Sequence, residues 1–316
     1  MFGLFCFASF SLCPLLQIQH PALRRFHSSD LDNLFHNLVA HFVGAANLKE
    51  TLLARTDFTG TRLRRGANLH GVDLSGMKLF ATNLTEAILT NATLTEVEFS
   101  LVRLTKAKLG QANLTKAIFH SSYLMGADLS NANLTGADLF HADLSEVVLS
   151  NANLTQAKLR SARNLASANL TEANLTSADL GFADLTRANL TNVTLTSANL
   201  GEAKLTQANL KGAKNLAGAN LMGADLTGAD LTEANLTGVN LALAVLVGTN
   251  LSGADLSGAD LLGAKWTGTD LCRVKGLTKE QLEICKAKGA KVDEDPTSSA
   301  SQSAVAPPPP EPHNDA

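Results

Sequence analysis

The chain has 316 residues, a net charge of −3 from 26 cations and 29 anions, and a mean hydropathy of +0.06. It is 45% hydrophobic yet only 5% aromatic, with one Trp and one Tyr, which points to a core of repeated aliphatic side chains rather than a three-dimensional jigsaw. Over residues 46–275, 20 Lys+Arg balance 20 Asp+Glu, and neither a basic stripe for nucleic acid nor an acidic stripe imitating its phosphates is visible.

Residues 1–29 differ in character from the rest of the chain. Phe2 to Leu16 is apolar apart from Ser and Cys, Arg24-Arg25-Phe26-His27-Ser28-Ser29 comes next, and the first acidic residue is Asp30. A secretory signal would need a basic start and an Ala-X-Ala-like cleavage site, and neither is visible. An organellar transit peptide fits the Arg, the Ser and the missing acid, and Arg24-X-Phe26-X-X-Ser29 resembles a mitochondrial presequence cleavage motif. The third reading is an upstream start codon assigned in error. The first two readings place the mature protein outside the cytoplasm or in an organelle, the third in the cytoplasm. A membrane span is not expected, because fifteen apolar residues interrupted by Pro14 fall short of about twenty.

Residues 30–45 read as a capping helix. Leu31, Leu34, Phe35, Leu38, Val39 and Phe42 make one apolar face, with Ser29 or Asp30 as N-cap and Gly44 as stop. From Leu48 to Leu271 a Leu or Phe then recurs every fifth residue, usually inside Ala-Asp/Asn-Leu-Ser/Thr-X. A helix cannot hold that period, since five residues advance about 500° and successive leucines sweep around the axis. A straight strand fails too, because an odd period flips alternate leucines across the sheet. The remaining solution turns after every repeat and aims each leucine at a common axis, an all-β solenoid. With the leucine as position i, position i−2 is nearly always Ala, Val, Thr or Ser, as in Ala112-Asn113-Leu114-Thr115, and both point inward.

This pattern resembles the pentapeptide-repeat family, whose fold is a right-handed quadrilateral β-helix with four repeats per coil. On that resemblance residues 46–275 form about eleven coils. One-residue insertions fall between Leu63 and Leu69, between Leu159 and Leu165, and between Leu210 and Leu216. In the last two, Arg163 and Lys214 occupy the small-residue position with Ala one place earlier, which predicts an outward bulge. Residues 276–292 read as a C-terminal capping helix, with a capping box in Thr278-Lys279-Glu280-Gln281 and Gly289 as stop. Residues 293–316, with Pro307 to Pro310, read as a disordered tail. Cys6, Cys13, Cys272 and Cys285 have no metal-ligand spacing, and Cys272 and Cys285 are expected to be reduced, half-buried thiols.

No phosphate-binding loop, dinucleotide fingerprint, zinc-protease motif or nucleophile elbow occurs, and His70, His120 and His141 sit at outward repeat positions. The expectation is a non-enzyme without cofactor, metal, nucleic-acid or small-molecule substrate, acting as a scaffold for a protein partner or a second copy of itself. The Asn-Leu-Thr triplets match the N-glycosylation pattern as by-products of the repeat. One face carries a threonine column at Thr95, Thr115, Thr135, Thr155, Thr176 and Thr196, which suggests ordered-water or ice binding as a minor alternative. Another face carries Phe80, Leu101, His120, Phe140, His141, Phe182, Met222, Leu243 and Leu262 at its outward positions, and this is the expected protein-contact face. Some members of the resembled family bind DNA gyrase and shield it from quinolones by imitating DNA. That alternative needs an acidic face, which the balanced charge does not supply.

Overall fold

Backbone hydrogen bonds in the computed structural model, which describes residues 65–293 apart from Arg163, return the chain to its own neighbour every twenty residues. In most repeats residue i−1 forms a parallel bridge to its counterpart one coil on, as in Asn68 to Ile88 and Ile88 to Lys108. The bonds run both ways: Leu69 N–H donates to Ile88 O at 2.7 Å, and Ile88 N–H donates back to Ala67 O at 2.9 Å. Between bridges the chain turns sharply. Val72 N–H donates to Leu69 O at 3.2 Å, closing a four-residue turn whose third residue, Gly71, has φ +66. A positive φ at that place is the condition of a type II turn, and five residues are what one bridge plus one such turn consume.

The signature Asn/Asp-Leu-Ser/Thr follows from the same geometry. Asn113 Oδ1 accepts both the Thr115 N–H at 3.2 Å and the Thr115 hydroxyl at 2.6 Å, so the side chain before each leucine pins the turn after it. The leucines fill the axis, with most at 0–2% exposure, and alanines at i−2 fill the space between them. Trp266 occupies a leucine place and is 2% exposed, which the Leu/Phe rule does not anticipate. Four hydroxyls are buried at i−2. Among them Thr249 and Thr269 donate to Leu226 O at 2.7 Å and Leu246 O at 2.6 Å, and Ser122 donates to Phe99 O, so these polar atoms stay paired inside the column.

Both insertions inside the described residues are absorbed without breaking the stack. The bridges Val148 to Asn169 and Thr194 to Asn215 step twenty-one residues instead of twenty. At the latter Ala213 is 1% exposed while Lys214 is exposed, the outward bulge.

After the last repeat the helix α1, Lys279–Ala287, begins in the capping box: Thr278 Oγ1 accepts from Gln281 N–H at 3.1 Å and Thr278 N–H donates to Gln281 Oε1 at 2.9 Å. Gly276 precedes it at φ +81, where a Cβ would stand 2.2 Å from Ser257 N. Gly289 follows at φ +92, and the chain then lies along the last coil, with Gly268 N–H donating to Gly289 O at 2.7 Å and Leu271 N–H to Lys291 O at 2.8 Å. Cys285 of α1 is buried, deeper than the half-buried state expected, and both Cys272 and Cys285 are free thiols. The expected helix over Asp30–Val43, the repeats up to Leu63, residues 1–29 and residues 294–316 lie outside the described residues. No helix among the described residues is long and apolar enough to cross a membrane.

Candidate protein-contact face

A function carried on this column has to come from what its coils present outward, because the interior is aliphatic and closed. The face that runs from Lys78 to Asp260 is ten coils long and joined by nine consecutive bridges. Its i+1 and i+2 side chains stand at the turn, where neither bridge nor core holds them. Every one of the nine expected contact residues is exposed there, from 41% for Phe80, Leu101, Phe140 and Met222 to 55% for Phe182, 61% for Leu243 and 76% for Leu262, with His120 and His141 also exposed.

The structure brings some of them together. Phe140 lies edge-on to His120 with ring centroids 6.4 Å apart and tilts against His141 at 3.9 Å, making one aromatic cluster. His120 Nε2 lies 3.1 Å from Asp138 Oδ1, and Lys158 Nζ lies 3.4 Å from Asp138 Oδ2. Partial burial pushes the Asp138 carboxyl upward, but the hydrogen bonds from His120 and the Phe140 N–H and the charges of His120 and Lys158 outweigh it and hold it below its ordinary value. Arg160 stacks over Phe182 at 5.3 Å. Gly201 and Glu202, on one coil, separate this group from Met222, Leu243 and Leu262, so the strip has two apolar stretches with one break between them.

Exposed apolar side chains that lie off this face are Tyr123 at 47% and Met125 at 42%, which flank Leu124 on the next face, and Ile284 on α1. Scanning every outward column for apolar residues, rather than the richest one, would have found the first two.

The threonine face is chemically different. The hydroxyls of Thr115, Thr135, Thr155 and Thr176 each donate to the Asn two residues earlier at 2.6 Å. Asn133 and Asn153 Nδ2 donate in turn to Thr115 and Thr135 Oγ1 at 3.1 Å. These protons are spent within the wall and do not point to an outside lattice. A shallow recess at Gly110, lined by Thr90, Asn91, Gln111, Asp128, Ser130 and Asn131, offers amides and hydroxyls but no nucleophile beside a base. Among the described residues no group of three His, Cys, Asp or Glu is placed to hold a metal ion. Cys272 is not an activated thiol: its hydrogen bond to Asp270, partial burial and the neighbouring Asp270 and Asp293 charges push it up to about 11.

Comparison with known proteins gives a consistent picture. The family model for pentapeptide repeats, in copies of eight, matches residues 44–79 and, in overlapping segments, residues 82–261. Among solved structures the chain is similar to HetL, a pentapeptide repeat protein involved in heterocyst differentiation regulation in the cyanobacterium Nostoc sp. strain PCC 7120, at 34% identity over 67% of this chain and 91% of that one, with a TM-score of 0.47. It is also similar to QnrB1, a plasmid-mediated fluoroquinolone resistance protein, at 18% identity over 72% and 92% of the two chains with a TM-score of 0.33. A pentapeptide repeat protein of the Arabidopsis thaliana thylakoid lumen shares 26% identity over 45% and 71%, with a TM-score of 0.22. No curated protein matches the chain.

Proposed function

The chain belongs to the pentapeptide-repeat family, and from that premise we propose that it is a non-enzymatic scaffold that meets a protein partner through the face carrying Phe80, Phe140 and Phe182. The observation that carries this reading is chemical asymmetry on a backbone that repeats. All four faces are built from the same kind of turn and bridge, yet one collects large apolar side chains at exposed corners while the threonine face spends its polar groups internally. Phenylalanine and histidine, with two side-chain torsions on a rigid wall, lose little conformational freedom when covered, and aromatic residues and methionine are enriched at contact surfaces.

A DNA-mimic role at a topoisomerase finds less support. Cations balance acids at 20 to 20 over residues 46–275, and some of the acids are paired along the column, as in Lys78–Glu98 at 3.7 Å, Lys116–Glu96 at 3.2 Å and the Arg65–Glu86 pair, which does not favour a strongly acidic face. The reading is tested by changing Phe80, Phe140 and Phe182 together to Ser. The variant should keep the β-rich circular dichroism signal and lose the proteins that co-purify with the wild-type chain; full retention of those proteins overturns the assignment of the face.

A further inference from the structure

Read from either end, the outer three coils of the contact face repeat in the placing of their large side chains, and several of the pairs set a cation or a ring against an acid or a glycine. Building on the contact-face proposal, we propose that its occupant is a second copy of this chain, docked antiparallel about a two-fold axis that passes between the coils of Leu159 and Leu180. Such an axis, perpendicular to the column and lying in the interface, reverses the order of coils but keeps each outward column opposite its own kind. The first coil then meets the tenth, the second the ninth, and so on inward.

In that register bulk meets bulk at the ends, and nearer the axis a large side chain meets a small one. Phe80 faces Leu262 of the other copy in the i+1 column, and Leu101 faces Leu243 in the i+2 column. Large residues thus alternate between the two columns in the same order from either end. Nearer the axis Phe140 faces Gly201, which has no side chain to clash with the ring, so the ring rests over the Asn199 and Asn220 amides that stand 3.3 Å from where a Cβ at Gly201 would be. Charge follows the same symmetry. His141 faces Glu202, and in the i−1 column Lys78 faces Asp260 and Lys158 faces Asp179. A parallel arrangement instead sets each coil against itself, so that Lys78 no longer meets Asp260 and the pairing of charge between opposite ends is lost.

The size is sufficient. Ten coils at about 4.8 Å per step give a face about 43 Å long, and with sheets about 10 Å apart its side chains spread on the order of 15 Å. The total area covered on two copies is about 1,300 Å², at the lower end of specific interfaces.

The test uses the purified full-length chain carrying a photo-crosslinking amino acid in place of Leu101, with a second version at Leu262. Light scattering at micromolar concentration should give about twice the 33.2 kDa chain mass, and illumination should join position 101 to the peptide containing Leu243, and position 262 to the peptide containing Phe80. Joining of position 101 to the same position in the second copy would establish a parallel dimer and overturn the proposal. A monomer without crosslinks would overturn it as well, and the co-purification experiment on the triple Ser variant would then decide separately whether the face serves another protein.

Discussion

Phe99 and Phe119 are fully buried and stacked, with ring centroids 5.2 Å apart on successive coils, so each ring fills space that its aliphatic neighbours cannot close. Phe99→Ala should cost about 3–5 kcal/mol, read as a lower urea midpoint with an unchanged slope; a midpoint equal to wild type would show that the column collapses around the gap. Their partner on the same face, Leu79, was visible from the twenty-residue step, whereas Trp266 was not, because its place in the repeat is set by Ala264 and Thr267 around it and not by its own residue type. A second residue-scale effect concerns acid. Despite its partial burial, the Asp138 carboxyl is held low by His120, the Phe140 N–H and Lys158. For Asp255 the hydrogen bonds from Ser257 lead, and for Asp270 those from Cys272 lead. Groups with depressed folded-state values add stability above the unfolded carboxylate value of about 4, and that contribution is lost as pH falls through the folded values. Thermal stability should therefore be flat from pH 7 to 5 and decline below about pH 4, followed by circular dichroism; a decline beginning near pH 6 would point to other groups.

At the scale of the element, the repeat tolerates an extra residue when the added side chain can leave the wall. Removing Lys214 leaves Ala213-Asn215-Leu216, a regular repeat, and keeps every face in place because the turn count is unchanged. The deletion should leave stability within about 0.5 kcal/mol of wild type or raise it; a large drop in melting temperature would mean that the bulge is needed. The C-terminal helix depends on its cap instead. Thr278→Ala removes one arm of the capping box and should cost about 1 kcal/mol, seen first as faster amide exchange in α1. The repeat, the bulge and the cap were all legible in the sequence because each is a local rule with a short spacing. The bridge that follows the cap was not. Lys291 pairs with Asp270 only because Gly289 turns the chain back onto the last coil, and no periodicity marks that return.

The whole molecule is a uniform backbone with unequal faces, and its proposed function rests on the inequality. The face could be read from sequence because a fixed twenty-residue step sorts outward residues into columns, and all nine members are exposed. Their grouping could not be read so fully: the His120–Phe140–His141 cluster and the Arg160–Phe182 stack depend on side-chain direction at each turn, and Tyr123 and Met125 lie on a face that carries few other apolar residues. Those two residues supply an internal control for the central claim. Carbene or hydroxyl-radical footprinting of the native protein in its own extract, compared with the dilute purified chain, should show Phe80, Phe140, Phe182 and Met222 protected in the extract while Tyr123 and Met125 label equally in both. Equal labelling of Phe140 and Phe182 in the two conditions, or protection of Tyr123 and Met125 instead, would contradict the assignment of this face as the contact surface.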